Sequence, residues 1–242
     1  MISSEGIDAG RDGAALSSLS TVMAAAHELK SPLVLIRQLV FAASDTQVDS
    51  EELGRILDQL MAVTDRSLRL TTDLTKTARL DDGLFAIEPV NAQQLCEMIV
   101  RQISPLYVQC GKVIRVKLRR TTSPVLAHRE LLSSLLYHFA DNALHYGDDN
   151  SEVSVVLQER SAAGLLRIGV RDTGPAMSLR EWRKLRSSPQ GSIATRPGGS
   201  GLGLYIADQF ANAMGGTIGL TQHRDGVTFY VDLPLSEQLA LL

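Results

Sequence analysis

The periodicity of apolar residues changes at Gly83, and this change constrains the fold more than any other feature of the chain. From Leu16 to Val40, and again from Leu53 to Leu74, apolar residues recur in steps of three and four, which is the spacing of one face of an α-helix. The polar segment SDTQVDSEEL separates the two stretches, and Ser50 followed by acidic residues is a typical helix start. The sequence therefore predicts two amphipathic helices, each roughly 40 Å long.

Two helices of this kind bury only part of their apolar faces against each other. We therefore expect a second copy of the chain to complete a four-helix bundle, which makes the protein a homodimer. The helical hairpin is predicted to span residues 14–82. Residues 1–13 are polar and contain glycine, so they are predicted to be a disordered N-terminus.

The chain from residue 83 to residue 236 mixes strands and helices without strict alternation. This pattern predicts an α+β sandwich of one sheet and one helical layer, followed by a tail over residues 237–242. The closing hairpin is expected around Asp225-Gly226. Strands are predicted at 84–90, 113–120, 152–160, 165–172, 216–224 and 227–234, and helices at 91–110, 128–147 and 202–214.

Composition excludes several classes of protein. The formal net charge of -3 gives no basic surface of the kind that binds nucleic acid. No apolar run reaches the roughly 18–20 residues that cross a bilayer, and the opening MISSEGIDAGRDG lacks the charged and apolar regions of a signal peptide. We expect no nucleic-acid partner, no transmembrane segment in this chain and a cytoplasmic location, alone or as the core of a larger membrane sensor.

His27 lies in the segment AHELKSPL, within the first predicted helix. The adjacent Glu28 can hold one ring N–H and leave the other nitrogen as a nucleophile. Ser31 follows one turn later on the same face. Pro32 costs about 3 kcal/mol inside a helix, which is easier to understand at a functional site than at a structural one. The alternative is a solvated surface histidine.

The helix predicted at 128–147 carries a polar stripe, because His138, Asn142 and His145 are spaced at i, i+4 and i+7. This stripe could simply face solvent. A transition-metal site built on the two histidines lacks a third strong ligand. Magnesium instead prefers oxygen ligands and keeps waters and phosphates in its shell, and the amide oxygen of Asn142 suits that role.

Two further segments carry candidate ligand groups. Asp172 follows an apolar strand and precedes Thr173-Gly174-Pro175, so it is either a turn aspartate or an acceptor for the amine of adenine. The segment Gly198 to Gly203 opens a helix, where glycines leave backbone N–H groups free to face phosphate. Its spacing is not that of a Rossmann fingerprint, and a long polar loop precedes it instead of a strand. A flexible lid over a triphosphate fits better.

Taken in order, these segments resemble the sequence boxes of sensor histidine kinases. HELKSP resembles the H box, DNALHYG the N box, DTGPA the G1 box and GGSGLGL the G2 box of the histidine-kinase branch of the GHKL ATPases. The resemblance covers residues 16 to 235. It implies a helical hairpin that forms a dimeric four-helix bundle, followed by an α+β sandwich of the Bergerat or GHKL type.

The resemblance also implies roles for individual residues. His27 would be the phosphoacceptor, Glu28 its acid/base partner, and Ser31 the residue that assists dephosphorylation of the response regulator. Asn142 would bind Mg²⁺, and Asp172 would read the adenine of ATP. The remaining residues expected at the ATP site are His138, His145, Tyr146, Gly174, Gly199, Gly201, Leu202 and Gly203.

Several positions depart from the family pattern. His138 stands where an asparagine is usual, as it does in chemotaxis-type kinases, and His145 stands where a phosphate-contacting lysine is common. Ala176 replaces the second glycine of the G1 box. No F box is recognisable, and Trp182 is the only aromatic residue in the predicted lid.

The resemblance predicts a protein histidine kinase. With ATP and Mg²⁺ it would phosphorylate itself on His27 and transfer the phosphoryl group to an aspartate of a response regulator receiver domain. Two alternatives remain open at this point. One is a degenerate, non-catalytic dimeric scaffold that docks a signalling partner, and the other is a kinase whose main role is that of a phosphatase.

Overall fold

The computed structural model describes residues 8–45, 48–118, 123–175, 177–178, 180–183 and 202–236, with the backbone alone for residues 8–22, 24, 27, 81 and 118. The chain divides into two compact units. The first holds the described residues up to Leu74 together with Leu202, and the second holds those from Thr75 to Arg183 and from Gly203 onward.

The first unit contains the two predicted helices, α1 (Asp8–Ala43) and α2 (Ser50–Ala78). The side chain of Asp49 caps α2, because its Oδ1 accepts a hydrogen bond from the backbone N–H of Glu52 at 2.8 Å. Such a cap satisfies one of the free donors of the first turn. The cap is therefore one residue earlier than the serine start that the sequence suggested.

The start of α1 differs from the prediction of disorder over residues 1–13. The helix begins at Asp8, so the second half of that segment is helical. Glycine destabilises a helix by up to about 1 kcal/mol relative to alanine, which is the strongest helix former. The alanines beside Gly10 and Gly13 offset their cost. Residues 1–7 and the predicted tail at 237–242 lie outside the described residues.

Among the described residues, the second unit contains three long α-helices and seven strands, together with a short helical segment at 180–183 and 3-10 helices at Leu80–Asp82 and Ser161–Ala163. The last turn of α2 belongs to it: the ammonium of Lys76 donates to the hydroxyl of Ser134 at 3.2 Å. The division between the units thus falls within α2, before the predicted boundary at 82. The helices are α3 (Ala92–Gln109), α4 (Arg129–Tyr146) and α5 (Leu202–Ala213), and the strands are β1 (Glu88–Val90), β2 (Val113–Leu118), β3 (Val125–Ala127), β4 (Glu152–Arg160), β5 (Leu165–Asp172), β6 (Thr217–His223) and β7 (Gly226–Pro234).

The main sheet has five strands in the order β2-β4-β5-β7-β6. Strand β2 is parallel to β4, and the other neighbours are antiparallel. In this register Asp172, the last residue of β5, lies opposite Val227 of β7. The fold is the predicted α+β sandwich, and the hairpin at Asp225-Gly226 joins β6 to β7 as expected.

A small second sheet was not predicted in full. Strand β1 is confined to Glu88–Val90, shorter than the predicted 84–90, and it pairs antiparallel with β3. Strand β3 was missed because a run of three residues carries too little alternation to be recognised.

The core of the second unit lies between one face of the main sheet and the helical layer. Alternate residues of β4, β5 and β7 face the core, as expected for a sheet covered on one side. The most deeply buried side chains are Leu95, Leu131, Leu132, Leu135, Phe139, Val153, Leu157, Leu166, Ile168, Ile206, Phe210, Val231 and Leu233. This core fixes α4 over the strand that ends at Asp172.

Candidate functional site

The predicted phosphoacceptor segment lies in the middle of α1. The helix runs through Pro32 without a break. Proline has no backbone N–H, so the carbonyl of Glu28, four residues earlier, lacks its usual helical donor. Helical spacing places Ser31 one turn after His27. Glu28 is half-buried and Ser31 is exposed, whereas the side chain of His27 lies outside the described residues. The roles of His27, Glu28 and Ser31 stay predictions.

Asn142 lies on α4, whose opposite side supplies much of the core. Its Nδ2 atom is buried, and no described residue accepts a hydrogen bond from it. A buried polar atom without a partner costs about 1–3 kcal/mol, so such atoms are rare unless a ligand uses them. The fold therefore leaves this N–H donor available to an acceptor such as a phosphate oxygen. Its oxygen is the type of donor that Mg²⁺ prefers.

His138 lies one turn before Asn142 and packs against the first turn of α5. A Cβ atom added to Gly203 would lie 3.0 Å from the ring Nδ1 of His138. The residue at 203 must therefore be small for α5 to approach α4 this closely. The structure thus brings together one predicted residue of the N box and one of the G2 box. Leu202 is fully buried, and Gly199 and Gly201 lie outside the described residues.

His145 is bound back to its own helix. Its ring Nδ1 lies 2.8 Å from the backbone oxygen of Asp141 and 3.6 Å from a carboxylate oxygen of the same residue. Within the described ranges, no three His, Cys, Asp or Glu side chains lie close enough to hold a metal ion. The structure therefore gives no support to a metal site built on His138 and His145.

The predicted base-reading residue, Asp172, is 2% exposed at the end of β5. It lies against the residue that ends α4: a Cβ atom added to Gly147 would lie 3.4 Å from the Cβ atom of Asp172 and 3.6 Å from the hydroxyl of Ser151. That hydroxyl is also buried, and no described residue forms a hydrogen bond with it. Polar groups with unused hydrogen-bonding capacity thus lie beside the aspartate.

Gly174 is held tightly against the same end of α4. A side chain at this position would collide with the backbone oxygen of Tyr146 and come within 3.0 Å of Gly147 Cα. The backbone N–H of Asp148 donates to the oxygen of Thr173 at 2.5 Å. The loop after β5 and the end of α4 are therefore fixed to each other, with Gly174 against the backbone of Tyr146 and Gly147 beside Asp172.

Three comparisons with known proteins bear on this arrangement. Residues 127–237 match the family described as histidine kinase-, DNA gyrase B- and HSP90-like ATPase. The sensor protein QseC of Salmonella typhi is 31% identical over 212 residues, which cover 84% of this chain and 44% of QseC. The sensor protein kinase PmrB of Pseudomonas aeruginosa is 30% identical over 205 residues, with coverage of 84% and 42%. The chain carries a histidine kinase catalytic core. It spans less than half the length of these two curated relatives.

Solved structures show the same fold. Full-length ShkA in complex with AMPPNP has a TM-score of 0.61 at 22% identity and covers 92% of this chain and 48% of its own. The cytoplasmic segment of the histidine kinase QseC has a TM-score of 0.51 at 23% identity, with coverage of 71% and 95%. The histidine kinase core described here thus consists of a helical region followed by an ATP-binding domain of the GHKL class.

Some residues of this kinase core have a place that the sequence did not indicate. Trp182, assigned to the lid, is buried instead, with its ring centroid 5.7 Å from that of Phe229. A reciprocal pair of hydrogen bonds precedes it: Ser178 N–H donates to the Glu181 carboxylate, and Glu181 N–H donates to the Ser178 hydroxyl. This capping box could have been recognised from its S-x-x-E spacing.

Lys112 and Tyr107 are the other unexpected residues, because both are buried and both bond to the backbone of α4. The ammonium of Lys112 donates to the oxygens of Leu144 and Gly147, and the hydroxyl of Tyr107 donates to the oxygen of Ala140. Burial is the main reason that the pKa of Tyr107 is raised. Nothing in the sequence around Lys112 indicates that its side chain points inward.

Proposed function

We propose that this histidine kinase core transfers the γ-phosphoryl group of ATP to His27 and then to an aspartate of a response regulator. The family match supports the use of ATP. The observation that carries the proposal is the buried Nδ2 atom of Asn142, which no described residue satisfies. It lies on the helix that the sequence resemblance identifies as the N box.

In the proposed reaction, a ring nitrogen of His27 forms a bond to the γ-phosphorus, and the bond to the bridging oxygen of ADP breaks. Glu28 would hold the other ring N–H and orient the imidazole. Asp172 would accept a hydrogen bond from the amine of adenine, and Tyr146 would line the pocket for the base. Asn142 would hold Mg²⁺, which when bound supplies neutralisation of the phosphate charge.

Incubation with γ-labelled ATP and Mg²⁺ tests this proposal. The wild-type chain should acquire a label that is lost in acid and stable in alkali, as expected for phosphohistidine. His27→Gln should remove the label without changing the affinity for ADP, and Asn142→Asp should weaken nucleotide binding itself. A label that persists in His27→Gln would refute the role of this histidine.

A thermal-shift measurement separates the kinase from a non-catalytic scaffold. A nucleotide that binds the folded protein raises its apparent stability, by about 2.7 kcal/mol at a hundredfold excess over Kd. Absence of any thermal shift at millimolar Mg-ATP would therefore favour the scaffold.

We also propose that Ser31 supports a phosphatase activity toward the phosphorylated regulator. Ser31 is exposed on α1 one turn after His27, so its hydroxyl could position a water molecule. Ser31→Ala should slow dephosphorylation of the receiver domain and leave autophosphorylation of His27 intact. Equal dephosphorylation rates for the two proteins would contradict this role.

The chain is further proposed to act as a homodimer in the cytoplasm. Large apolar side chains are exposed on the hairpin, among them Phe41 at 71%, Met61 at 65% and Leu68 at 61%. Several exposed large apolar side chains on a pair of helices favour an interface with another chain. Light scattering should give twice the mass of the chain, and Met61→Glu should lower it. None of the helices whose residues are described has the length and hydropathy that crossing a bilayer requires.

The receiver partner is supported by one similar structure, the histidine kinase ThkA in complex with the response regulator protein TrrA, with a TM-score of 0.64 at 18% identity. That complex concerns ThkA. For this chain we propose a receiver domain of the same general class, and phosphotransfer from purified, labelled kinase to candidate receivers would identify it.

A further inference from the structure

Lys112 has an unusual position for a lysine. It lies immediately before β2 and is 5% exposed. Burial of an ammonium group is costly unless the group is paired and hydrogen-bonded. Its Nζ atom donates to Leu144 O at 2.7 Å and to Gly147 O at 2.6 Å. Both acceptors lie at the C-terminal end of α4, where the helix dipole is negative and helical carbonyls lack helical partners.

Tyr107 contacts the preceding turn of the same helix. Its side chain is 1% exposed, and its hydroxyl donates to Ala140 O at 2.6 Å. We name Tyr107 and Lys112 the α4 clasp. The two residues are connected through the end of α3, because Lys112 N–H donates to Tyr107 O at 2.8 Å. The clasp therefore fixes the last two turns of α4 to α3.

The segment held by the clasp is the one that meets the base-reading residues. Lys112 binds the carbonyls of Leu144 and Gly147, and Tyr146 lies between these two residues in the chain. Gly147 is in contact range of Asp172, and Gly174 is wedged against the backbone of Tyr146. A movement of this end of α4 would therefore change the spacing between Tyr146 and Asp172.

Filling the available space would not by itself need a charged side chain. A methionine of similar volume would fill the site without the cost of burying an ammonium. The two carbonyls would then lose a charge-assisted donor, which is stronger than a neutral one. The clasp thus fixes the position of a backbone segment while the side chain of Asn142 remains uncommitted to the fold.

We propose that Lys112 is a positioning residue for base recognition in the ATP site. Through the end of α4, its ammonium sets the distance between Tyr146 and Asp172 and so the preference for adenine. This inference rests on the proposed function, because it requires that ATP binds here.

The test compares Lys112→Met, Lys112→Gln and Lys112→Arg with the wild-type chain. The matched control is Lys117→Met, since Lys117 follows on β2 but is exposed and paired with Glu152. For each protein we would measure the Kd of Mg-ADP and Mg-GDP by calorimetry, the KM and kcat of autophosphorylation, and the thermal midpoint without nucleotide.

Lys112→Met and Lys112→Gln should raise the Kd for ADP about tenfold and reduce the preference for ADP over GDP, because the base is held less well. KM for ATP should rise while kcat at saturation changes less than twofold, the behaviour expected when uniform binding is lost. Lys112→Arg should recover part of the affinity, and Lys117→Met should match the wild type.

A merely structural lysine would give a different result. The thermal midpoint and the active fraction would fall, but the folded fraction would bind ADP with wild-type Kd and unchanged preference over GDP. That outcome in Lys112→Gln would overturn the proposal even if Lys112→Met failed to fold. Absence of ADP binding by the wild-type chain would instead refute the proposed function.

Discussion

Gly147→Ala gives a sharp test of how the end of α4 is packed. The backbone of Gly147 has φ -67° and ψ 153°, a conformation that any residue adopts. Considered by conformation alone, alanine should stabilise the protein by about 0.4–1 kcal/mol, because it restricts the unfolded chain. The packing around Gly147 predicts the opposite sign.

The magnitude follows from the space available. The new Cβ atom would lie 2.6 Å from the backbone oxygen of Ala143, whereas ordinary contact begins at 3.4 Å, so the chain must move by about 0.8 Å. The obstacle is helical backbone, which cannot rotate away as a side chain can. Overpacking of this kind costs about 1–3 kcal/mol, so the net effect should be destabilisation by roughly 1–2 kcal/mol.

The same displacement should disturb nucleotide binding. Gly147 also faces Asp172, with 3.4 Å between the added Cβ atom and that of Asp172. A misplacement of 1 Å in a site can cost about a hundredfold in rate, so we expect the Kd for Mg-ADP to rise by at least about tenfold. Calorimetric titration with Mg-ADP and chemical denaturation of the same sample measure both effects.

Gly164→Ala is the matched control, because it destabilises the same unit by another route. Gly164 has φ 64° and nothing within 4 Å of an added Cβ atom. Alanine in this left-handed conformation costs about 1–2 kcal/mol, at the opposite end of β5 from Asp172. Its ADP affinity should equal that of the wild type. Our reading of the α4 end would be refuted if Gly147→Ala bound ADP normally or if both variants lost affinity alike.

Three further predictions follow from the structure. Asn142→Ala should abolish the thermal shift caused by Mg-ADP while leaving the stability without nucleotide equal or higher, since it removes a buried donor without a described partner; lower stability without nucleotide would contradict this. Arg167→Leu should cost about 2–3 kcal/mol in chemical denaturation, with ADP affinity unchanged, because it leaves Asp232 without its bidentate partner at 2.7 Å. Burial raises the pKa of the Cys96 thiol from 9.0 to about 12, so its contribution to the free energy of unfolding is complete below pH 9 and is lost as the pH rises toward 12. In a thiol assay at pH 8, the exposed Cys110 should react rapidly. Cys96 should react only after unfolding.

The sequence predicted the fold well wherever periodicity was long. Helices α2, α3, α4 and α5 and the four long antiparallel strands β4 to β7 were placed to within a few residues, because each carries several repeats of its period. The short strand β3 and the early start of α1 were missed. In both cases the periodicity of apolar residues does not indicate the element. Strand β3 is stabilised by its pairing with β1, and α1 extends through two glycines.

The candidate site was predictable in its residue types but not in its packing. Asn142, Asp172 and Gly174 were identified because their chemistry and order are visible in the sequence. The contact of Gly203 with His138 and the inward path of Lys112 were not visible, since they depend on how helices meet in space. Trp182 was placed in the lid for the same reason, although its ring packs on Phe229.

The contacts around α4 divide its polar residues into two kinds, and this division bears on how the site would treat ATP. The clasp bonds only to backbone oxygens, so the position of Asn142 is fixed while its amide nitrogen stays without a described partner. A ligand that meets groups already in place loses little free energy in ordering them. His145 is different, because its Nδ1 is already bonded to Asp141 O, and contact with phosphate through that atom would require this bond to break. The family's usual lysine would bring a full charge at this position. In the proposed site, neutralisation of the triphosphate would therefore rest more heavily on Mg²⁺, and chelation of the metal should reduce ATP affinity more than the loss of His145 does.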